Sequence, residues 1–488
     1  MKDKKVHIVK DIISYGIGSN LSDVIGFFIA TLVRRFLGPF YMGIWSLLRV
    51  ILSYASYTDL GITNIIYFKI PLYVGKNDKG EIDSIHNTVF SFLWVTNIVS
   101  GIVILIGSLL FKSKLPHELF IGLLVLPLIM LIQRFYAMYI ALIRAHKKFS
   151  VLGTSYLFDS ILNLLLIILF LRTFKIYGIY IVSVILPLLD IAYVRFFTDF
   201  KFKFQLVWIK LKGYLSFAFP VFISNLLDTL FFSIDRLMTA GMLGMVSLGY
   251  YSVAIMCKNS AVNFTRSFAS VFSPYFIEDY GKTNDISRVL GYVFKYTEVL
   301  SYLMMILLGF IYLVFPIFIR LAMPKFDTGI SATQITIFGI YFAVLSGQFR
   351  NLLMVNNKQR YIICATLAAS AVCLSANYFL IKAGMGIDGV AIGSSLAAAV
   401  LFFTYIYRAS LYGNPGAFIR FLSVAVAPFI FFIGIFFAID HLTAFSSGLK
   451  FSLKAVFFIC VSSGLSLYIN KKVRLVGIFK EIFKKGKK

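Results

Sequence analysis

The sequence is poor in the residues that mark several common protein classes. Its four cysteines all lie in apolar stretches without a Cys-x-x-Cys pair, and none of its five histidines stands in a His-Glu-x-x-His arrangement. We therefore expect no disulfide framework, no metal site and no cofactor. Charged residues make up only 14% of the chain, against about 25% in soluble domains, and no Walker A sequence is present. These shortages argue against a soluble protein and exclude an ATP-driven pump.

Apolar residues, by contrast, are abundant. Hydrophobic residues reach 59% and aromatic residues 17%, with 52 Phe and 28 Tyr. A membrane-crossing helix needs about 20 mostly apolar residues. Fourteen stretches meet this condition: 11–37, 42–66, 88–111, 119–143, 150–171, 176–195, 213–240, 246–270, 290–315, 330–349, 361–381, 386–407, 421–440 and 451–470. The predicted fold class is an all-α integral membrane protein, and its short loops leave no room for a soluble domain.

Acidic residues are also scarce, with 21 Asp and Glu against 47 Lys and Arg and a net charge of +26. If the N-terminus is cytoplasmic, 31 of the basic residues fall in cytoplasmic segments and 11 in external loops. This distribution follows the positive-inside rule. We therefore expect a multi-pass protein of the cytoplasmic (inner) membrane with both termini cytoplasmic. Its basic C-terminal tail suits contact with anionic membrane lipid, and nucleic acid is not an expected partner.

The chain nearly repeats itself after about 205 residues. SNLSD at 19–23 matches SNLLD at 224–228, and LGPFYMG at 37–43 matches LGMVSLG at 243–249. Six spans per copy give both copies the same orientation in the membrane. Parallel repeats of this kind occur in transporters that bind substrate between two halves.

A weaker match pairs the basic connections 144–149 and 355–361 and extends the repeat over twelve spans. The remaining two spans are appended to the second copy. The predicted organisation is an N-terminal bundle of helices 1–6 at 1–205, a C-terminal bundle of helices 7–12 at 206–410, and helices 13–14 with the basic tail at 411–488.

With TDLGI at 58–62 and LGYYSVA at 248–254, the order of these motifs resembles the Wzx-like O-antigen and polysaccharide flippases. These are polysaccharide transporters of the multidrug/oligosaccharidyl-lipid/polysaccharide (MOP) exporter superfamily, and the resemblance covers essentially the whole chain. It implies a MATE-like fold with a cationic cavity. It also implies flipping of undecaprenyl-pyrophosphate-linked oligosaccharide across the membrane by alternating access, for cell-surface polysaccharide synthesis and without catalysis. Polysaccharide polymerase and glycosyltransferases are the partners that it suggests.

Charged residues within the spans are costly to insert, so we expect each to face a cavity or a partner. Arg49 and Lys258 lie in corresponding helices of the two copies. We interpret them as ligands of the carrier pyrophosphate, and a salt bridge to an aspartate is the alternative. Arg266 could receive the head group or simply mark topology. Further polar residues are expected to line the cavity of the first half: Gln133, Arg134, Asp159, Asn163 and Asp190.

Asparagine and aspartate recur three residues apart in the first and seventh spans. Asn20 and Asn225 are candidate substrate ligands on these helices. Four aspartates are candidates for holding a coupling cation or proton, or for a gate: Asp23, Asp59, Asp228 and Asp235. The alternative for this set is an internal ion pair or a polar clasp between helices.

Two other functions remain open from the sequence. A cation-coupled multidrug antiporter of the same superfamily would suit the membrane aspartates, although that class generally has twelve helices. A membrane-embedded polysaccharide polymerase or acyltransferase would need a catalytic acid, base or nucleophile, and the sequence offers no clear candidate.

Overall fold

The computed structural model describes residues 2–283, 286–356, 358–412, 415–441 and 447–473, and the regular elements within these ranges are all helical. The α-helices are α1 Lys2–Ala55, α2 Asn64–Gly75, α3 Lys79–Leu110, α4 His117–Ala145, α5 Phe149–Phe174, α6 Ile176–Phe196, α7 Trp208–Met238, α8 Met245–Thr283, α9 Ile286–Ala322, α10 Gly329–Val355, α11 Gln359–Lys382, α12 Gly386–Ser410, α13 Pro415–Phe421, α14 Ala427–His441 and α15 Ser447–Val473.

Each of the fourteen predicted spans overlaps one of these helices, although the second, 42–66, runs past the end of α1 through a turn into the start of α2. The first two lie on either side of a break in α1, and the thirteenth runs from α13 into α14. Ten helical stretches of the described chain are long and apolar enough to cross a membrane, and one of them contains parts of both of the first two predicted spans. The prediction of an all-α membrane protein is confirmed.

The chain forms two compact units, 1–256 and 257–488, and the division falls inside α8. The predicted boundary between the sequence copies lies earlier, in the irregular segment 198–207. This segment is tied to α3 of the first unit. The backbone N–H of Lys203 donates to Asn87 Oδ1 (2.8 Å), and that of Gln205 donates to Ser91 Oγ (2.8 Å).

The repeated glycine motif adopts the same backbone conformation in both copies. Gly38 breaks α1 with φ 71° and ψ 176°, and Gly244 precedes α8 with φ 86° and ψ 177°. This region is essentially restricted to glycine, because a side chain would collide with the backbone. The internal repeat predicted from sequence is therefore visible in the local structure.

The two copies of this motif also pack against each other within the first unit. A Cβ atom at Gly43 would overlap the Met245 carbonyl, and a Cβ atom at Gly249 would overlap the Pro39 carbonyl. The contact is reciprocal, as expected for two related elements that face each other. The second glycine of each motif thus allows one backbone to approach the other.

Farther along the chain, the end of α1 and the 3₁₀ turn 56–59 that follows it pack along α7. Tyr54 Oη and Ser233 Oγ are 2.6 Å apart, and Tyr57 Oη and Thr229 Oγ1 are 2.7 Å apart. These bonds satisfy partly buried hydroxyl groups, which would be costly to leave unpaired.

The second unit packs through aromatic and small residues. The Tyr341 ring of α10 stacks on Phe429 of α14 with a centroid distance of 3.6 Å, and the Tyr341 hydroxyl donates to the Ala425 carbonyl (2.7 Å). On α12, Gly393 allows the side chain of Asn377 to lie directly against the backbone. The appended helix α14 is thereby fixed to the body of this unit.

Candidate functional site

A polar cavity of about 540 Å³ lies in the first unit, enclosed by α1, α4, α5 and α6. Apolar side chains form part of its wall. Its charged and amide lining is Arg34, Arg49, Gln133, Asp159, Asn163 and Asp190. Since charges are costly within a membrane span, this concentration in one cavity identifies the candidate site.

Arg34 is the most firmly held of the cavity residues. Only 5% of the residue is exposed. Its Nε donates to Ser252 Oγ (3.2 Å), its Nη2 to the Ser252 carbonyl (2.8 Å) and its Nη1 to the Ala30 carbonyl (2.8 Å). These bonds fix the guanidinium at the cavity wall, joining α1 to the start of α8.

Arg49 supplies a second cation to the same cavity from the other side of the break in α1. Its side chain is exposed, in contrast to that of Arg34. The ion pairs described in the structure do not include either arginine. Both charges are therefore available to an anionic ligand, which a guanidinium can bind through two parallel hydrogen bonds.

Two carboxyl groups lie across α5 and α6 in this cavity. Asp190 is 2% exposed, so its carboxyl group is held away from water. Asp159 lines the cavity beside it. Two carboxylates cannot both stay ionised at close range in a low-dielectric site, so the pair favours uptake of a proton or a cation.

The amides Gln133 and Asn163 complete the polar lining, at positions that the sequence pattern had already assigned to this cavity. Arg134, expected beside them, is instead buried outside the lining. Its Nη2 donates to the Ala55 carbonyl and to Thr58 Oγ1, and its Nη1 donates to Thr96 Oγ1 (3.4 Å). Arg134 therefore joins α4 to the end of α1.

The predicted aspartates lie in several separate environments. Asp59 accepts hydrogen bonds from the Gly61 N–H (2.8 Å) and from Thr63 Oγ1 (2.7 Å), which closes the turn after α1. Asp235 is buried and accepts a hydrogen bond from the Tyr251 hydroxyl (3.2 Å). Both bond within the helical framework and lie outside the cavity lining.

The other predicted residues are dispersed over the two units. Asn20 and Asp23 are exposed on α1, whereas Asn225 and Asp228 are half-buried on α7. Lys258 is half-buried on α8 in the second unit. Arg266 lies on α8, and its side chain is outside the described part of the chain. Of the residues proposed from sequence as pyrophosphate ligands, Arg49 is the one that lines the cavity.

Arg34 was not singled out from the sequence as a ligand. It lies beside Arg35 at the end of the first span. Two arginines at the end of a span can also be explained as residues that set the orientation of the helix in the membrane. Two sequence features could have indicated its role. Arg34 lies four residues before Gly38, and the LGYYSVA motif contains Ser252, which can accept a hydrogen bond. Only the tertiary contact with Ser252 separates its role from that of its exposed neighbour.

Comparison with known proteins gives a family and a fold. The family model described as "polysaccharide biosynthesis protein" matches residues 32–326. No curated protein matches the chain in sequence.

Among solved structures, the lipid II flippase MurJ in an inward closed conformation is similar over 94% of this chain and 99% of its own, with 15% identity and a TM-score of 0.67. An inward-facing multidrug resistance MATE transporter of the MOP superfamily is similar over 81% of this chain and 95% of its own, with 17% identity and a TM-score of 0.61. A eukaryotic MATE transporter is similar over 86% of this chain and 98% of its own, with 13% identity and a TM-score of 0.60. The predicted MATE-like fold is confirmed.

Proposed function

The chain belongs to the polysaccharide biosynthesis protein family, and we propose that it flips a pyrophosphate-linked oligosaccharide lipid across the membrane without catalysing a reaction. The proposal rests on Arg34 and Arg49, two arginines in the cavity of a membrane protein from that family. The undecaprenyl carrier, the cytoplasmic membrane with both termini on its inner side, and the polymerase and glycosyltransferase partners remain part of the proposal.

Arg34 and Arg49 are suited to bind the pyrophosphate of the carrier. Arg34 is fixed by its bonds to Ser252, so little conformational entropy is lost when it meets an anion. Arg49 is more exposed and can follow the phosphate as the head group moves. Attraction between unlike charges is much stronger in such a cavity than in water. We propose that Gln133 and Asn163 bind sugar hydroxyls beside them.

The carboxyl pair Asp159 and Asp190 is our candidate for the coupling ion. A proton or a cation bound there would offset the mutual repulsion of the carboxylates, and its release would restore negative charge beside the arginines. Alternating access would then be linked to that exchange. Two sets of roles expected from the sequence stay predictions. A coupling or gating role is predicted for Asp23, Asp59, Asp228 and Asp235. Substrate binding is predicted for Lys258, Arg134, Arg266, Asn20 and Asn225.

The test is a flipping assay in proteoliposomes with an undecaprenyl-pyrophosphate-linked oligosaccharide. We expect Arg34→Ala and Arg49→Ala each to reduce flipping at least ten-fold, since each removes one charge-assisted contact of roughly 1.5–3 kcal/mol. Arg35→Ala is the matched control, because it removes an exposed arginine from the neighbouring position of the same helix. Lys258→Ala, measured in parallel, tests the earlier assignment.

Equal flipping by the wild type and both cavity variants would refute the role of the arginines. Absence of flipping by the folded wild type, together with efflux of a cationic dye, would favour the second candidate function, a multidrug antiporter. The observation that favours this alternative is the carboxyl pair, which could bind a cationic drug directly.

A further inference from the structure

A second cavity, at one end of the second unit, collects positive charge. It measures about 610 Å³ and is lined by Lys358, Arg360 and Arg408 with Tyr361, Tyr407 and Leu411. No Asp or Glu belongs to this lining, and the described ion pairs do not involve its three cations. Three positive charges without a neighbouring acid form a site for an anion that carries at least one full negative charge.

The guanidinium of Arg408 is held in place by aromatic rings. Its central carbon lies 5.8 Å from the centre of the Tyr361 ring and 5.4 Å from that of Tyr412. The Tyr361 ring is itself fixed, because its hydroxyl donates to the Thr404 carbonyl (2.8 Å). Cation–π contacts use the face of a guanidinium and leave its N–H edges free to donate to an oxyanion.

The start of α11 adds to this positive potential. Lys358 precedes the first turn of that helix, and no side chain caps it. The N-terminus of a helix carries partial positive charge from its unpaired N–H groups. The backbone and the three side chains therefore attract the same kind of ligand.

The position of this cavity along the helices points to a lipid. The apolar span Gln359–Lys382 begins at the cavity and the span Gly386–Ser410 ends there, which places it level with the membrane surface. Tyr407 is 58% exposed and Leu411 is 55% exposed. Apolar surface thus continues from the cations toward the acyl-chain region, which a small water-soluble anion would not require.

The first unit has a different environment at the corresponding connection between α4 and α5. A cavity of about 340 Å³ there is lined by Lys79, Asp83, His86 and His146. It combines one lysine with an aspartate, so it lacks the excess positive charge of the cavity in the second unit. The cationic cavity is thus a local feature of the second unit.

We propose that the cavity formed by Lys358, Arg360 and Arg408 binds the phosphate of an anionic membrane phospholipid. Arg408 donates to the phosphate oxygens from its fixed position, and Lys358 and Arg360 add to the attraction for the anion. The acyl chains extend over Tyr407 and Leu411. This site shares no lining residue with the cavity of the first unit, so the lipid proposal does not depend on the flippase proposal.

The experiment titrates the delipidated full-length protein with phosphatidylglycerol or with phosphatidylcholine of the same acyl chains, and counts bound lipid by native mass spectrometry. We expect phosphatidylglycerol to be preferred. The double variant Lys358→Gln/Arg360→Gln should weaken its binding by about five-fold for each cation. Lys382→Gln is the matched control, since it removes an exposed lysine from the opposite end of α11 and should leave the affinity unchanged.

A photoactivatable phosphatidylglycerol provides a second measurement, with cross-links expected on 407–411 and lost in the double variant. Equal affinity for both lipids, or an unchanged affinity in the folded double variant, would overturn the proposal. Undecaprenyl pyrophosphate is the competitor. If it displaces phosphatidylglycerol with higher affinity, and its own binding weakens in the double variant, the site belongs to the transported lipid instead. The Arg408→Lys variant should retain part of the affinity, because it keeps the charge and loses the guanidinium fork.

Discussion

In the first unit, α5 and α6 place polar side chains in a cavity, whereas α11 and α12 of the second unit close on small and apolar residues. Helices α5 and α11 begin 210 residues apart, as do α6 and α12. Counted from these starts, Asp159 corresponds to Ala369 and Asp190 to Val400. Ala369 is fully buried, while both aspartates line the cavity. Related helices thus provide charge in one unit and close packing in the other.

The packing in the second unit depends on glycine at specific helix contacts. The Asn377 side chain lies against Gly393, and Ser395 lies against Gly339, where a Cβ atom would come within 2.8 Å of the serine hydroxyl. A duplicated framework can therefore keep its backbone, as the shared conformation of Gly38 and Gly244 shows, while its side chains diverge. The repeat therefore specifies the helices, whereas individual residues specify the site.

One of the two largest expected effects comes from filling the contact in the second unit. Gly393→Ala would place a Cβ atom over the Asn377 side chain and 2.9 Å from its backbone nitrogen. We expect destabilisation of about 3 kcal/mol, at the upper end for overpacking, measured by thermal unfolding in detergent. Gly347→Ala on α10 is the control, because no atom lies within 4 Å of its added Cβ. Similar unfolding midpoints for the two variants would contradict the close packing described for α12.

A second prediction concerns the reciprocal contact between the repeated glycines. Gly43→Ala and Gly249→Ala should each destabilise the protein by about 3 kcal/mol, as much as Gly393→Ala, since each Cβ overlaps a backbone carbonyl. The double variant should lose less free energy of unfolding than the sum of the two single losses, because either change alone already separates the two motifs. Gly26→Ala, in the open part of α1, should leave the unfolding midpoint nearly unchanged. Strictly additive losses would show that the two contacts are independent.

The third prediction replaces Asp190 of the first unit with valine, the residue at the corresponding position 400 of the second unit. Asp190→Val should abolish transport, since the carboxyl pair is lost. It should also raise stability by about 1–2 kcal/mol, because an apolar side chain replaces a buried carboxyl group that lies close to the carboxyl group of Asp159. Flipping and thermal unfolding are measured on the same preparation. The control is Asp327→Asn, which removes an exposed partner of Arg320 and should change neither quantity. Normal flipping by Asp190→Val would exclude this carboxyl group from coupling.

The smallest effects are expected from the two asparagines that follow the repeated connections. Asn163→Ala should lower flipping about ten-fold with little change in stability, since its amide faces the cavity. Asn377→Ala should leave flipping unchanged and alter stability by less than about 1 kcal/mol, because its buried amide makes only a long bond to Cys373 Sγ (3.5 Å). If Asn377→Ala impaired flipping as much as Asn163→Ala, the functional contrast between the units would be wrong.

The helical framework was accessible from the sequence, because its signals are local. An apolar run long enough to cross the bilayer predicts a helix without any knowledge of its neighbours, and each of the fourteen predicted spans overlaps a helix. The repeated glycine motif was equally local, since its backbone conformation is one that essentially only glycine adopts. The cavity lining by Asp159, Asn163 and Asp190 was anticipated as well, because polar residues within apolar spans must face away from lipid.

Local sequence patterns therefore specify the membrane class, the helices and the repeat. Which arginines join the two aspartates in the cavity depends on tertiary packing. Arg34 and Arg134 are both arginines in apolar helices, yet one lines the cavity through its contact with Ser252 and the other is bonded to the end of α1. Their partners lie 218 and 76 residues away along the chain. No local pattern reports such a distance, because the direction of a side chain depends on how separate helices pack.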